Sequence, residues 1–210
     1  MRQTGERIAE AKEEKRRFSP AGQSTQIIVG ADDASDLDVL RSSSSMYENY
    51  KLKRVYYSGF SPIPDASKAL PVKAPPLVRE HRLYQADWLL RYYEFSIEDL
   101  ASASDDGTLD LGIDPKFAWA LKHRETFPVD VNTAAREMLL RVPGLGKRAV
   151  DQIISSRRHH RLRAEDIRRL SPGVKRALPF LITADHRSTT LLDRLDLRSR
   201  IAPSQQLELF

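Results

Sequence analysis

The segment Pro143-Gly144-Leu145-Gly146 stands between two stretches of helical periodicity and leaves the backbone few choices. Upstream, Ala135, Met138, Leu139 and Val142 recur at helical spacing. Downstream, Ala149, Val150, Ile153 and Ile154 fall on one side of a second helix that begins at Lys147. Pro143 fixes its own φ and stops the first helix. Gly144 and Gly146 both permit the positive φ of a tight turn and carry no side chain to hold a ligand away. Leu145 is expected to drop between the two helices and lock their angle, and Asn132 or Thr133 to cap the first of them.

A turn of this kind favours an anion. The amides near Gly146 and Lys147 open a fresh helix, where unpaired donors and the positive end of the helix dipole point outward. Lys147 and Arg148 add mobile positive charge. A poorer copy follows, with Glu165-Asp166-Ile167-Arg168-Arg169-Leu170 leading into Ser171-Pro172-Gly173-Val174-Lys175-Arg176. Charge is concentrated on the same stretch. Residues 133–180 hold 12 Lys/Arg and 4 Asp/Glu, a local +8, whereas the other 22 basic and 25 acidic residues sum to −3. That is the footprint of a phosphate-binding module. The expected contacts are Gly144, Leu145, Gly146, Lys147 and Arg148 from the first turn and Gly173, Lys175 and Arg176 from the second. Arg157, Arg158, Arg161 and Arg163 flank them, while His159 and His160 read as surface residues. Backbone contacts of this type position a protein on nucleic acid without reading its sequence.

The remainder reads as α+β, mostly helical after residue 78. Gln26-Ile27-Ile28-Val29-Gly30 is a strand candidate, Asp36–Tyr50 an amphipathic helix and Leu52–Ser58 a second strand, together a βαβ unit with a parallel pair. One such unit cannot cover both faces of its sheet. Five prolines between 61 and 78 mark an irregular linker. Glu80–Phe95 reads as a largely buried helix, 102–107 as a polar loop, and Asp114-Pro115 as a helix start with Asp as cap. The expected segments are a charged 1–19, the βαβ unit at 20–64, a linker and helical region at 65–127, the paired turns at 128–185 and a tail at 186–210.

The chain has no cysteine, so it offers no disulfide, thiolate nucleophile or cluster ligand. No apolar run is long enough for a bilayer, and residues 1–7 lack the apolar core of a secretory signal. The expectation is a cytoplasmic, nucleoid-associated protein with no membrane partner.

The stretch from Val131 to Ile182 resembles the tandem helix-hairpin-helix domain of bacterial DNA-binding proteins, in which two hairpins meet the two strands of a duplex across the minor groove. The final Gln206-Leu207-Glu208-Leu209-Phe210 is similar to the short peptide with which bacterial polymerases and repair proteins hold the sliding clamp. Gln206, Leu207, Leu209 and Phe210 are the expected partner-binding residues: Leu209 and Phe210 would fill an apolar pocket and Gln206 would fix the register by hydrogen bonds.

Further resemblance lies in residues 18–31, Leu52–Ser58, Arg79–Leu90 and Phe127–Asn132. With the hairpin, they look like the C-terminal half of the putative DNA modification/repair radical S-adenosylmethionine proteins. That resemblance implies that the βαβ unit is the remnant of a partial barrel. It implies further that S-adenosylmethionine and a [4Fe–4S] cluster belong to a separate barrel half, and that a uracil-DNA-glycosylase-like protein is a partner. The residues Gln26 to Asp33 are similar to the strand that approaches the adenine in radical enzymes, with Gln26 and Asp33 departing from its pattern. No catalytic residue or metal ligand is expected in this chain alone. The alternative is a helix-hairpin-helix base-excision glycosylase with Asp166 as its acid. In that alternative Asp166 would act on a base, whereas in the tandem reading it caps the second copy. A third reading makes the repeat a docking module for the glycosylase-like partner.

Overall fold

The computed structural model describes residues 1–14, 18–64, 70–170, 173–187 and 198. The chain is mixed α+β, helices predominate, and it has two small parallel sheets. It divides into two compact units, Met1–Leu90 with Ser104–Leu111, and Arg91–Ala103 with the chain from Gly112 onward.

In the first unit, α1 (Arg2–Glu13) precedes β1 (Ser24–Val29), α2 (Asp36–Tyr50) and β2 (Arg54–Gly59). The strands pair in parallel with Ser24 opposite Arg54 and Val29 opposite Gly59, the βαβ connection expected of this segment. Helix α2 starts where Ser35 and Asp38 cap each other's backbone amides, and it survives its run of serines because Leu37, Val39 and Leu40 are buried. The outer edge of β2 is closed by side chains. Val55, Tyr57 and Gly59 donate their amides to Tyr47 Oη (3.0 Å), Tyr84 Oη (3.0 Å) and Glu80 Oε1 (2.6 Å). Such closure removes the unpaired donors that make a free edge adhesive.

Tyr84 and Glu80 belong to α3 (Leu77–Tyr92), which starts three residues before the expected position. Under it the Tyr57 hydroxyl lies within hydrogen-bond distance of Ser43 Oγ (2.9 Å) and Asp87 Oδ1 (3.1 Å). Burial, then the Asp87 carboxylate, push the phenol's pKa far up and keep it protonated. One face of the sheet stays open, with Gln26, Ile28, Arg54 and Tyr56 exposed.

The second unit contains α4 (Ile97–Ala103), α5 (Pro115–Lys122), β3 (Val129–Asp130), α6 (Arg136–Arg141), α7 (Lys147–Ser156), α8 (Ala164–Leu170), α9 (Val174–Ala177) and β4 (Leu181–Ile182). Residues 102 and 103, read from sequence as loop, close α4. That helix is started by a reciprocal cap in which Ser96 Oγ accepts from the Asp99 amide and Asp99 Oδ2 accepts from the Ser96 amide. Asp114 caps α5 as expected, accepting from the Phe117 amide at 2.9 Å. The short parallel pair β3–β4 sets Val129 beside Leu181 and Asp130 beside Ile182, tying the two ends of the 129–182 stretch together. The core is aromatic: Phe127 meets Phe180 edge to face at 5.1 Å, and Phe95 meets Trp119 at 5.6 Å.

Asn132 does not cap α6. Ala135 holds the cap position without a side-chain bond. Asn132 instead clamps the connection between α7 and α8, its Oδ1 accepting from the Leu162 amide (2.7 Å) and its Nδ2 donating to the Leu162 carbonyl (3.3 Å). The partly buried amide and carbonyl of Leu162, which would otherwise lack these partners, have the stronger claim on that side chain.

Candidate nucleic-acid interface

The turn between α6 and α7 is built from the inside. Val142 and Leu145 are buried, at 0% and 2% exposure, and the Leu145 amide donates back to the Val142 carbonyl. Gly144 takes φ +82°, the left-handed region that the sequence reading assigned to both glycines. Gly146 does not take it. It sits at φ −86°, ψ 162° as the N-cap of α7, and no side chain caps the helix there. Extended geometry is what an N-cap residue adopts, so the helix start decides its conformation.

The second turn comes up against the first. A Cβ built on Gly144 would lie 2.4 Å from the Gly173 carbonyl oxygen, and one built on Gly173 would lie 2.7 Å from the Gly144 oxygen. Two backbone segments can approach this closely only where neither carries a side chain. Ser171 and Pro172, the front of the second turn, lie outside the described residues.

Behind the first turn is a lysine that the sequence reading missed. Lys116 on α5 is 8% exposed, donates from Nζ to the Leu145 carbonyl at 2.7 Å, and packs its ammonium 4.8 Å from the centre of the Tyr93 ring. Burial pulls its pKa down to about 7, against the opposing pull of Asp114. The available signal was its setting, since Pro115 to Ala120 are all buried, which leaves a lone cation in an apolar run.

The charged residues divide sharply. Arg136 pairs with Asp151 (3.1 Å) and with Glu94; Arg141 with Asp99 (2.9 Å) and Glu137 (3.1 Å); Arg169 with Glu165. Arg157 donates to the Val131 and Ala134 carbonyls. Arg176, expected to face a ligand, pairs with Asp114 Oδ2 at 2.6 Å. These five of the twelve basic residues at 133–180 are engaged by partners within the protein, Arg169 at the surface. The other seven are Lys147, Arg148, Arg158, Arg161, Arg163, Arg168 and Lys175. They are exposed and form no ion pair among the described residues.

The four acids of the same stretch are all engaged. Asp166 is the third residue of α8 rather than its cap residue, and its Oδ2 accepts from the Arg163 amide at 2.8 Å. His160 Nε2 stands 3.8 Å from the same oxygen. The exposed positive surface therefore meets little opposing charge from within its own stretch, although the Asp185 carboxylate interacts with Arg163. Lys175 and Arg168 also line a cavity of about 240 Å³ with Leu178, Pro179 and His186.

No family model, curated protein or solved structure matches this chain.

No group of three or more His, Asp or Glu that could hold a metal ion occurs among the described residues, and none of the helices described is long and apolar enough to cross a membrane. Gln206, Leu207, Leu209 and Phe210, the clamp-like peptide, lie outside the described residues.

Proposed function

We propose that this chain binds duplex DNA without sequence preference, through a helix-hairpin-helix whose hairpin is residues 142–147 and whose second copy is centred on Gly173. The observation that carries the reading is the start of α7. No side chain caps its amides, they follow a glycine turn whose two glycines are only partly buried, and the exposed Lys147 and Arg148 stand beside them without an ion pair among the described residues. A phosphate satisfies these donors, meets the positive end of the helix dipole and gains two cations. The contact of Gly144 with Gly173 supports the tandem arrangement, since it joins the two turns at one surface. The seven free cations suit the sugar–phosphate backbone rather than base edges.

Within that role the chain would be the DNA-targeting part of a DNA modification/repair radical S-adenosylmethionine system. The open face of the β1–β2 sheet supports this, because a βαβ remnant of a partial barrel has a face that further strands would cover. A [4Fe–4S] cluster needs thiolates. The chain has no cysteine, so its residues do not fit the cluster, and the cluster and S-adenosylmethionine would belong to a separate barrel half. The terminal Gln206–Phe210 peptide would tether the complex to the sliding clamp. Base excision has weaker support. The Asp166 carboxylate is turned to its own helix, which leaves that reading without a free acid at the hairpin.

The test is fluorescence-anisotropy binding to a random duplex across a salt series, beside a Lys147→Glu/Arg148→Glu variant. Steep salt dependence in the parent and weak, shallow binding by the folded variant support the reading. Equal, shallow binding by both overturns it and turns attention to protein partners.

A further inference from the structure

The Leu145 carbonyl and the Gly146 amide belong to one peptide group. That group is planar and trans, so its C=O and N–H point in opposite directions. Lys116 grips the carbonyl end from inside the unit, 2.7 Å from Nζ to oxygen. The amide end must then face the other way, towards the surface that carries Lys147 and Arg148. Tyr93 closes the inner side, its ring 4.8 Å from the ammonium and its hydroxyl 3.8 Å from where a Gly146 Cβ would be. The hairpin is thus held by a contact with α5, from a residue 29 positions earlier in the chain.

We propose that Lys116 is a positioning residue for phosphate binding: its amine holds the Leu145 carbonyl inward, aims the Gly146 amide outward, and couples occupancy of the hairpin to proton uptake. This rests on the hairpin reading given above.

The coupling follows from what faces the amine. From the N-cap of α5 comes Asp114, whose negative charge favours the ammonium. From α9 comes Arg176, which pairs with Asp114 at 2.6 Å and offsets that charge. The residues before α4 contribute the Tyr93 ring, and the hairpin contributes a carbonyl. Burial then leaves the amine evenly poised near neutral pH. A phosphate on the outward end of the same peptide adds negative charge and draws the carbonyl–ammonium bond tighter, which favours the protonated form. By linkage, protonation of Lys116 strengthens the hold on phosphate in the same measure.

The experiment measures anisotropy of a random duplex from about pH 6 to about pH 9 for the parent, Lys116→Met and Lys147→Glu. Methionine fills the same volume and keeps no donor. Lys116→Met is expected to bind about tenfold more weakly at low pH, where the parent has the charged donor, and to lose the parent's decline with rising pH. Its salt slope should match the parent's, because the buried amine releases no counterion, whereas Lys147→Glu should lower the slope and keep the pH dependence. A Lys116→Met protein with the parent's affinity and pH profile overturns the proposal.

A second measurement uses the parent alone, in case the variant does not fold. The lysine ¹³Cε resonance that titrates near neutrality should move its midpoint upward when duplex is added, and an unmoved midpoint overturns the coupling. If the parent binds no duplex at any pH, it is the DNA reading that fails. Lys116 then remains only a structural contact of the turn.

Discussion

Gly144 and Gly173 meet backbone to backbone, so that a single methyl on Gly144 would stand 2.4 Å from the Gly173 carbonyl oxygen. The neighbour is main chain on both sides, with the Ala177 amide 3.1 Å away, so nothing flexible can yield. Gly144 also needs φ +82°, which costs an L-residue about 1–2 kcal/mol before any clash. Gly144→Ala should therefore lose more than about 2 kcal/mol of stability in urea unfolding. Gly173→Ala, with clash but no positive φ, should lose less. If Gly144→Ala unfolds with the parent's midpoint, the two turns are not packed as described.

Because glycine changes disturb the fold, the charges give the cleaner test of binding. Lys147 and Arg148 are exposed and pair with no acid among the described residues. Reversing both should leave stability within about 0.5 kcal/mol. If each neutralises one phosphate, the slope of log affinity against log salt should become shallower by about 1.8. An unchanged slope would mean that these side chains never reach the backbone of the duplex.

The sequence made the local parts of this arrangement readable. Pro143 ends α6 near where its ring demands, Leu145 is buried, and Ala149, Val150 and Ile153 line the inner side of α7, because each depends on neighbours within a few residues. The parallel pairing of β1 with β2 followed from strand, helix and strand in close succession. What escaped the sequence depends on distant partners. Arg176 turns inward to an aspartate 62 residues earlier, and Lys116 reaches a carbonyl 29 residues later. Arg157 is consumed by two carbonyls in the same way. Arg157 and Arg176 lie on charged stretches, where nothing in the spacing distinguishes a tethered cation from a free one, whereas Lys116 carried a signal in the apolar run around it.

The first unit carries its own test. The Asp36 side chain is fully buried, with one oxygen 2.7 Å from Arg79 Nε and the other accepting from the Leu109 amide at 2.9 Å. Arg79 also donates to the Ala34 carbonyl. Removing one member leaves the other charge buried and unsatisfied, which costs about 3–5 kcal/mol. Asp36→Ala should lose that much in urea unfolding, whereas reversal of Asp38, an exposed cap, should cost clearly less. Equal losses would show that the buried pair adds nothing beyond a helix cap.

Lys116 also makes stability depend on pH in a direction that can be worked out. Its pKa falls from 10.5 to about 7 on folding, so between those values the unfolded chain holds the proton and the folded chain has released it. Stability rises with pH wherever the unfolded state binds more protons. The cost of burying the ammonium is thus complete below about pH 7 and is relieved as pH climbs towards 10.5. Lys116→Met avoids that cost at every pH and forgoes one hydrogen bond, worth about 1 kcal/mol, throughout. The variant should therefore be most stable relative to the parent near pH 6 and lose that advantage progressively up to pH 10, by a few kcal/mol in all. Paired urea titrations at about pH 6, 8 and 10 read the difference directly. A difference that stays flat over this range would mean that the amine titrates as it does in solvent and is not held behind the hairpin. A difference that grows with pH would reverse the sign and point to a carboxylate partner stronger than its burial.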